Sequence, residues 1–319
     1  MNTASATTRG ALSAGAPRDQ ASRLRRGYLL GLLGVALFAL TIPMTRLASG
    51  SAAAPQLSPW FVAFGRAAVA GGLAAVYLLA VRAPRPSAAQ WRALVFTAAG
   101  VVFGFPLFMG LAVVRVDAVH ASVVTGILPL VTAAFGARVL RQPQRPSFWL
   151  FAWAGLLLVV AFAWWRGGAG LQIADGLLAL ALVLGAVGYV WGARLSATMR
   201  PEHVISWVLV LALPITVPAA WATLPAAPVQ SASWLGFAYV SLFSMWLGFF
   251  AWYRALAIGG TVRVSQVQLL QPFLSILAAV PILGESVDTA TCLFLLAVMA
   301  VVFASRRVAS STPTQGRYR

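Results

Sequence analysis

The feature that most constrains this chain is a succession of about ten apolar runs, each near 20 residues long and separated by short polar stretches. A helix needs roughly 20 mostly apolar residues to cross a hydrocarbon core about 30 Å thick. Charged residues make up only 9% of the chain, whereas soluble domains carry about a quarter. The sequence therefore predicts a single all-α membrane domain, because the connecting segments are too short to build a soluble one.

The apolar runs are continuous rather than alternating, which indicates helices and not the strands of a membrane barrel. A polar first segment, residues 1–26, predicts a disordered cytoplasmic tail, and residues 308–319 predict a second one. We expect the run after the first tail to be an uncleaved first helix, since it is long enough to span. The ten predicted transmembrane helices cover residues 27–47, 59–81, 92–114, 118–140, 147–166, 174–195, 203–222, 233–256, 262–283 and 288–305.

The basic residues, all of them Arg, are concentrated in alternate loops, and the net charge is +17. They lie between apolar runs rather than along one folded surface, so we expect no nucleic-acid partner. The positive-inside rule makes the Arg-rich side cytoplasmic and both termini internal, which requires an even number of helices in a multi-pass inner (plasma) membrane protein. The sparse side carries only Arg46, Arg115 and Arg166. The rich side carries the N-terminal tail, Arg82, Arg85, Arg92, Arg138, Arg141, Arg145, Arg194, Arg200, Arg254, Arg263, Arg306, Arg307, Arg317 and Arg319.

The chain repeats itself when it is shifted by 143 residues. Trp91 then falls on Trp234, and no gap is needed from there to Leu140 on Leu283. Each half, residues 27–166 and 174–307, holds five predicted helices, so the second half is expected to be upside down relative to the first. Inverted five-helix repeats are typical of secondary transporters, whose substrate site lies near the midplane between the halves.

Helices four and nine carry a duplicated polar face beside a proline. At about 100° per residue the positions fall on one narrow face, and the proline weakens each helix there. This pattern predicts a cavity lining, although Ser and Thr in membranes also bond their own backbone or hold helices together. The residues are Ser122, Thr125, Pro129 and Thr132 in helix four, and Ser265, Gln268, Pro272 and Ser275 in helix nine, with Gln271 adding a further amide.

Helix eight carries aromatic residues at heptad spacing, namely Tyr239, Trp246 and Tyr253. Such a stripe could form a cavity wall for an amphipathic solute, and it is equally compatible with packing. Helix six, by contrast, carries Gly185, Gly188 and Gly192, whose spacing predicts close helix packing.

Arg66 is the one charge well inside a predicted span. An ionisable residue at that depth is by default a candidate functional residue. It could snorkel outward, or pair with Asp117, Asp175 or Glu285, so a gating or structural role and a direct substrate role both stay open.

No Asp or Glu lies in the middle of a predicted span, and His120 at the end of helix four is the one nearby group that titrates near neutral pH. The energy source is therefore open. A Gly-rich loop followed by Lys, a paired-His zinc pattern and a catalytic Ser/His or Asp/Asp pair are all missing from the sequence, and the single Cys292 has no metal-ligand spacing around it. We expect no enzyme activity, no cofactor and no metal.

Several short motifs, in order, resemble the EamA-type carriers of the drug/metabolite transporter superfamily. The resemblance covers roughly residues 27–307 and implies export of amino acids, metabolites or drug-like compounds. Two places depart from the family: Gln142 stands where a Glu is frequent, and Thr41-Ile42-Pro43 replaces a Trp-Gly pair. The matching motifs are Phe64-Gly65-Arg66, Pro129-Leu130, Asp175-Gly176-Leu177-Leu178, Gln271-Pro272 and Leu283-Gly284-Glu285.

The sequence thus predicts a secondary or facilitative carrier, an exporter that works by alternating access on a small-molecule substrate within the lipid bilayer. A flippase for lipid-linked substrates and a non-transporting membrane scaffold are the alternatives. The substrate, the choice between export and import, the energy coupling and the oligomeric state stay open, a homodimer being one option.

Overall fold

A computed structural model describes residues 15–139, 146–168, 170–259 and 265–310 of the chain. Within these ranges the backbone is almost entirely helical, and one isolated β-bridge joins Gly50 to Pro55. The helices are α1 (Gly15–Ala39, continued as Thr41–Ser49), α2 (Pro59–Ala80), α3 (Ala88–Val113), α4 (Ala118–Thr125, continued as Leu128–Val139), α5 (Pro146–Arg166), α6 (Ile173–Ser196), α7 (Pro201–Ala222), α8 (Ser231–Tyr239, then Val240–Leu247 and Gly248–Gly259), α9 (Ser265–Leu270 and Gln271–Leu283) and α10 (Thr289–Ser310).

The all-α membrane class is confirmed, since eight helices, α1 to α8, are long and apolar enough to cross a membrane. The apolar parts of α9 and α10 are shorter, at Val267–Leu283 and Thr289–Ser305. One boundary differs clearly from the prediction: α1 begins at Gly15, inside the expected irregular tail. Ala, Arg and Gln residues around that point favour helix, and a helix can extend beyond the hydrocarbon. The remainder of both tails lies outside the described residues.

Large apolar side chains cover the outside of the bundle. Leu79 is 79% exposed and Trp221 78% exposed, and dozens of others share this surface. A soluble protein does not expose such a continuous apolar surface, so these side chains require lipid. The polar groups lie inside instead, where Thr41, Ser122 and Arg66 are buried among packed helices.

Two π-helical segments occur at equivalent places in the two halves. One is Ala98–Gly104 in α3, and the other is Val240–Leu247 in α8. Adding the repeat offset of 143 residues moves the first onto residues 241–247, almost the whole of the second. A π segment widens a helix by one residue per turn and often marks a functional position.

The helices α4 and α9 are distorted at equivalent places as well. In α4 the regular helix is interrupted at Gly126, whose N–H bonds the Val123 carbonyl in the tighter three-residue pattern. In α9 a 3₁₀ segment gives way to α-helix at Gln271. The proline comes second in each following helix, as Pro129 and Pro272, because a proline needs no hydrogen bond to its nitrogen there.

The pattern of helix packing is unchanged when the two halves are exchanged. The helix α2 packs against α7, α4 against α9, and α5 against α10, and each of these pairs joins equivalent members of the two halves. The remaining major contacts, α1 with α8 and α6 with α3, convert into one another under the same exchange. The helices of one half thus contact those of the other half in the same pattern in either direction.

Candidate functional site

A cavity lies in the middle of the bundle and encloses about 830 Å³ of empty space, counting the solvent at its mouth. Its wall is mixed: one part is polar, and the rest is aromatic or aliphatic. The polar lining consists of Thr41, Arg66, Thr125, Tyr189, Ser244, Gln268, Gln271 and Ser275, and the apolar lining includes Phe38, Ile42, Val101, Phe105, Leu128, Met245 and Phe249.

The cavity is lined by residues from both halves of the chain. Six residues of the first half line it together with the residues that lie 143 positions later. Both halves of the chain therefore contribute to the cavity wall, at positions that the repeat offset relates to each other. The six pairs are Ile42 with Gly185, Val101 with Ser244, Pro106 with Phe249, Thr125 with Gln268, Leu128 with Gln271, and Pro129 with Pro272.

The structure brings Gln268 and Gln271 together in the cavity wall. Both side chains are half-buried, and neither amide bonds another described residue. An amide that lines the cavity can offer a ligand one carbonyl acceptor and two N–H donors. Thr125 also lines the cavity, but its hydroxyl donates to the Ala121 carbonyl at 2.8 Å, so its own backbone already satisfies it.

Three other members of the predicted polar face have structural partners. Ser122 is fully buried, and its hydroxyl lies 2.8 Å from that of Ser275, which joins α4 to α9. Thr132 donates to the Leu128 carbonyl at 2.8 Å and is not among the lining residues. The side chain of Ser265 lies outside the described residues. Of this predicted face, the structure therefore keeps Ser275, Thr125, Gln268, Gln271 and both prolines in the cavity wall.

The structure places the aromatic stripe of α8 outside the cavity wall. Tyr239 donates to the Leu37 carbonyl at 3.0 Å, and Trp246 donates to Ser206 at 3.1 Å. Tyr253 is 6% exposed and packs against Gly192 of α6. The physical reason is the π segment, which changes the residue spacing that the heptad pattern assumes. The residues of α8 that line the cavity are Ser244, Met245 and Phe249.

Arg66 lies in the cavity wall with 3% of its surface exposed. One nitrogen, Nη2, donates to the Ser244 hydroxyl at 2.8 Å, and that hydroxyl also lies 2.8 Å from Thr41. Its Nε has no hydrogen-bond partner within the described ranges. The pairing with Asp117, Asp175 or Glu285 that the sequence allowed does not occur, because those carboxylates are held elsewhere.

A carboxylate clamp closes one end of the bundle, where α4 begins and α9 ends. Glu285 accepts hydrogen bonds from the N–H groups of Ala118 and Val119, both at 2.8 Å. We call this contact the Glu285 clamp. An anion is well placed at a helix N-terminus, where unpaired N–H groups and the helix dipole attract it. Burial raises the pKa of Glu285, opposed by its two backbone hydrogen bonds.

Further ionic contacts surround the clamp. His120 Nε2 lies 2.8 Å from Asp175, which joins α4 to α6; His120 is buried and Asp175 is partly buried. Arg166 at the end of α5 contacts Asp288 at 3.0 Å and Asp117 at 3.5 Å. These contacts connect four helices at this end. Gln142, the counterpart of Glu285 in the first half, lies outside the described residues.

The aromatic lining from α1, α3 and α6 was not predicted from the sequence. Phe38, Phe105 and Tyr189 are ordinary members of apolar runs, and nothing in their spacing separates a cavity residue from a packing residue. The repeat offset relates Ser244 to Val101 and Phe249 to Pro106, so identifying one member of either pair as a cavity residue would have indicated the other. Clusters of three or more His, Cys, Asp or Glu side chains suited to a metal do not occur in the described part of the chain.

Comparison with known proteins gives one family. The profile described as "EamA-like transporter family" matches twice in succession, over residues 25–165 and 172–306. The "Uncharacterized transporter YdeK" of Bacillus subtilis (strain 168) is 41% identical over 290 residues, which cover 90% of this chain and 99% of that protein. A solved crystal structure is similar over 89% of this chain and 96% of its own, with a TM-score of 0.59 and 19% identity, and it supports the fold alone.

Proposed function

Because the chain belongs to the EamA-like transporter family, and so to the drug/metabolite transporter superfamily, we propose that it is an alternating-access carrier that exports a small organic metabolite. The supporting observation is the cavity lined by six pairs of residues that lie 143 positions apart. Secondary carriers built from inverted repeats bind their substrate at the repeat interface, and the two halves rock about that site.

The proposed architecture has ten spans in two inverted five-helix repeats, residues 27–166 and 174–307, with both termini in the cytoplasm of a plasma (inner) membrane. The two successive family matches, the equivalent π segments and the symmetric helix packing support it. The Arg-rich loops then face the cytoplasm, and the Glu285 clamp faces outward. In this orientation the clamp is the external gate of the carrier.

In the proposed mechanism Gln268 and Gln271 bond the polar part of the substrate, and Phe38, Phe105 and Phe249 surround its apolar part. Closing the clamp draws α4 and α9 together at the outer end, while opening it exposes the cavity to the outside. A flippase would need a laterally open groove, and a scaffold has no use for a cavity with unpaired amides at its centre. The carrier is therefore the function that the cavity favours.

The proposed function is tested by untargeted metabolite profiling of the medium around cells that express the wild type or the double variant Gln268→Ala/Gln271→Ala. We expect one or more metabolites to accumulate outside with the wild type, and export to fall by at least about tenfold in the variant, since two hydrogen bonds of about 1 kcal/mol each are lost. Gln230→Ala is the matched control, because Gln230 is exposed outside the cavity.

Protein amounts in the membrane must be equal for all variants. Identical media from wild type, double variant and empty cells would contradict the export proposal. Export that survives in the double variant at the wild-type level would contradict the role of the two amides, and it would leave the carrier function standing.

A further inference from the structure

The charged residues around the cavity indicate the charge of the substrate, an inference that rests on the proposed function. Arg66 is a cation within a membrane-spanning helix, 3% exposed, in the wall of the central cavity. Burying a charge is expensive unless an opposite charge or several hydrogen bonds compensate it. Arg66 has one hydrogen bond, to Ser244, and its Nε is unpaired within the described ranges.

The carboxylates of the chain do not supply the missing negative charge. The chain has six acidic residues, and Asp19 precedes the first span. Four cluster at the clamp end, where they accept from backbone N–H groups or contact His120 and Arg166. Glu202 lies 3.8 Å from Arg254 at the other end of the bundle. Among the described residues, the cavity wall contains no Asp or Glu.

We propose that Arg66 is the anion-binding residue of the cavity, and that the substrate is a small organic monoanion, a carboxylate attached to an aromatic or aliphatic body. The guanidinium is planar and offers several N–H donors, and a carboxylate takes two of them side by side. Ser244 occupies one nitrogen and fixes the orientation of the group, because it also bonds Thr41.

The remaining lining discriminates against other classes of substrate. A cationic amine would face Arg66 with no acidic residue to offset it, and a zwitterion would place its ammonium in the same wall. A phosphate dianion would need more positive charge than Arg66, the one cation among the described residues that line the cavity, supplies. An aromatic or aliphatic body, in contrast, would contact Phe38, Phe105 and Phe249, and the amides of Gln268 and Gln271 can add N–H donors to the second carboxylate oxygen.

The test measures binding to the purified protein in detergent with four probes that share one body: 3-phenylpropanoate, its neutral amide, 3-phenylpropylamine and phenylalanine. We expect the carboxylate to bind the wild type at least about tenfold more tightly than the other three, because the amide cannot supply a charge to a buried cation. Arg66→Gln should lose this preference, and Arg66→Lys should keep part of it. Arg115→Gln, which removes an exposed Arg outside the cavity, should behave like the wild type.

Equal binding of carboxylate and amide to the wild type would overturn the proposal, as would an Arg66→Gln variant that keeps the preference. Absence of carboxylate binding to the wild type would overturn it too. If Arg66→Gln does not fold, the affinities of the carboxylate and the amide for the wild type and for Arg66→Lys still test the proposal. The binding assay does not depend on transport, so the two proposals can fail separately. If the chain exports a neutral or cationic metabolite, the anionic substrate is refuted and the proposed carrier function stands.

Discussion

Gly100→Ala is expected to lower the free energy of unfolding by roughly 3 kcal/mol, or to leave no folded protein at all. A Cβ on Gly100 would lie 2.4 Å from the backbone nitrogen of Gly188 and 2.4 Å from the backbone oxygen of Leu184. Both are backbone atoms of α6, so no change of rotamer can relieve the contact. The two helices must separate, and α3 and α6 together carry the cavity residues Val101 and Tyr189.

The matched control is Gly72→Ala in α2, where an added Cβ meets no atom within 4 Å. Alanine favours helix over glycine by about 1 kcal/mol, so this variant should be as stable as the wild type or slightly more stable. Thermal unfolding of both variants in the same detergent, with size-exclusion profiles, measures the difference. A Gly100→Ala variant as stable as Gly72→Ala would show that α3 and α6 do not approach as closely as the structure has them.

Glu285→Ala is expected to loosen the end of the bundle that holds the Glu285 clamp, which the proposed orientation places outside. It removes two hydrogen bonds from a carboxylate to the first N–H groups of α4, and each such bond contributes about 1.5 kcal/mol or more where it is buried. Since the carboxylate is only half-buried, we take about 2 kcal/mol for the pair. That corresponds to a roughly 30-fold shift from the closed towards the outward-open form. Accessibility of the cavity to reagents added outside measures the shift, and an unchanged accessibility would contradict the gating role.

The same contact gives a pH dependence. Burial raises the pKa of Glu285, and the nearby charge of Asp117 adds to the effect. The closed form therefore binds the proton more tightly than an open form in which the carboxyl group is solvated, so acidification favours closure and a pH above the raised pKa favours opening. External accessibility should accordingly rise with pH in the wild type, and Glu285→Ala should remove this component. An accessibility that falls with pH would contradict the assigned direction.

Much of the fold follows from the sequence because membranes impose few solutions. The apolar runs, the alternation of Arg between loops and the offset of 143 residues predict helices, and their order agrees with the described helices. Helix ends are less determined. The first helix begins at Gly15 because nothing outside the hydrocarbon stops it, and a helix can continue into water wherever its residues favour it.

The candidate site was predictable only in its polar part. Gln268 and Gln271 stand out because amides are rare in apolar runs, and their repeat partners Thr125 and Leu128 could be found by the offset. The structure places the stripe of Tyr239, Trp246 and Tyr253 outside the cavity wall. Heptad spacing puts residues on one face only in a regular helix, and Val240–Leu247 is a π segment. A sequence pattern does not show where a helix widens.

Side-specific labelling of one cavity cysteine tests alternating access most directly. Cys292 is the single cysteine of the chain and is exposed on α10, so Cys292→Ser gives a cysteine-free background, in which Thr125→Cys places a thiol in the cavity wall. A membrane-impermeant maleimide is added to right-side-out and inside-out vesicles, with and without Glu285→Ala. We expect labelling from both sides, with external labelling many-fold faster and internal labelling slower in Glu285→Ala. A thiol that reacts from one side only in both backgrounds would contradict the account.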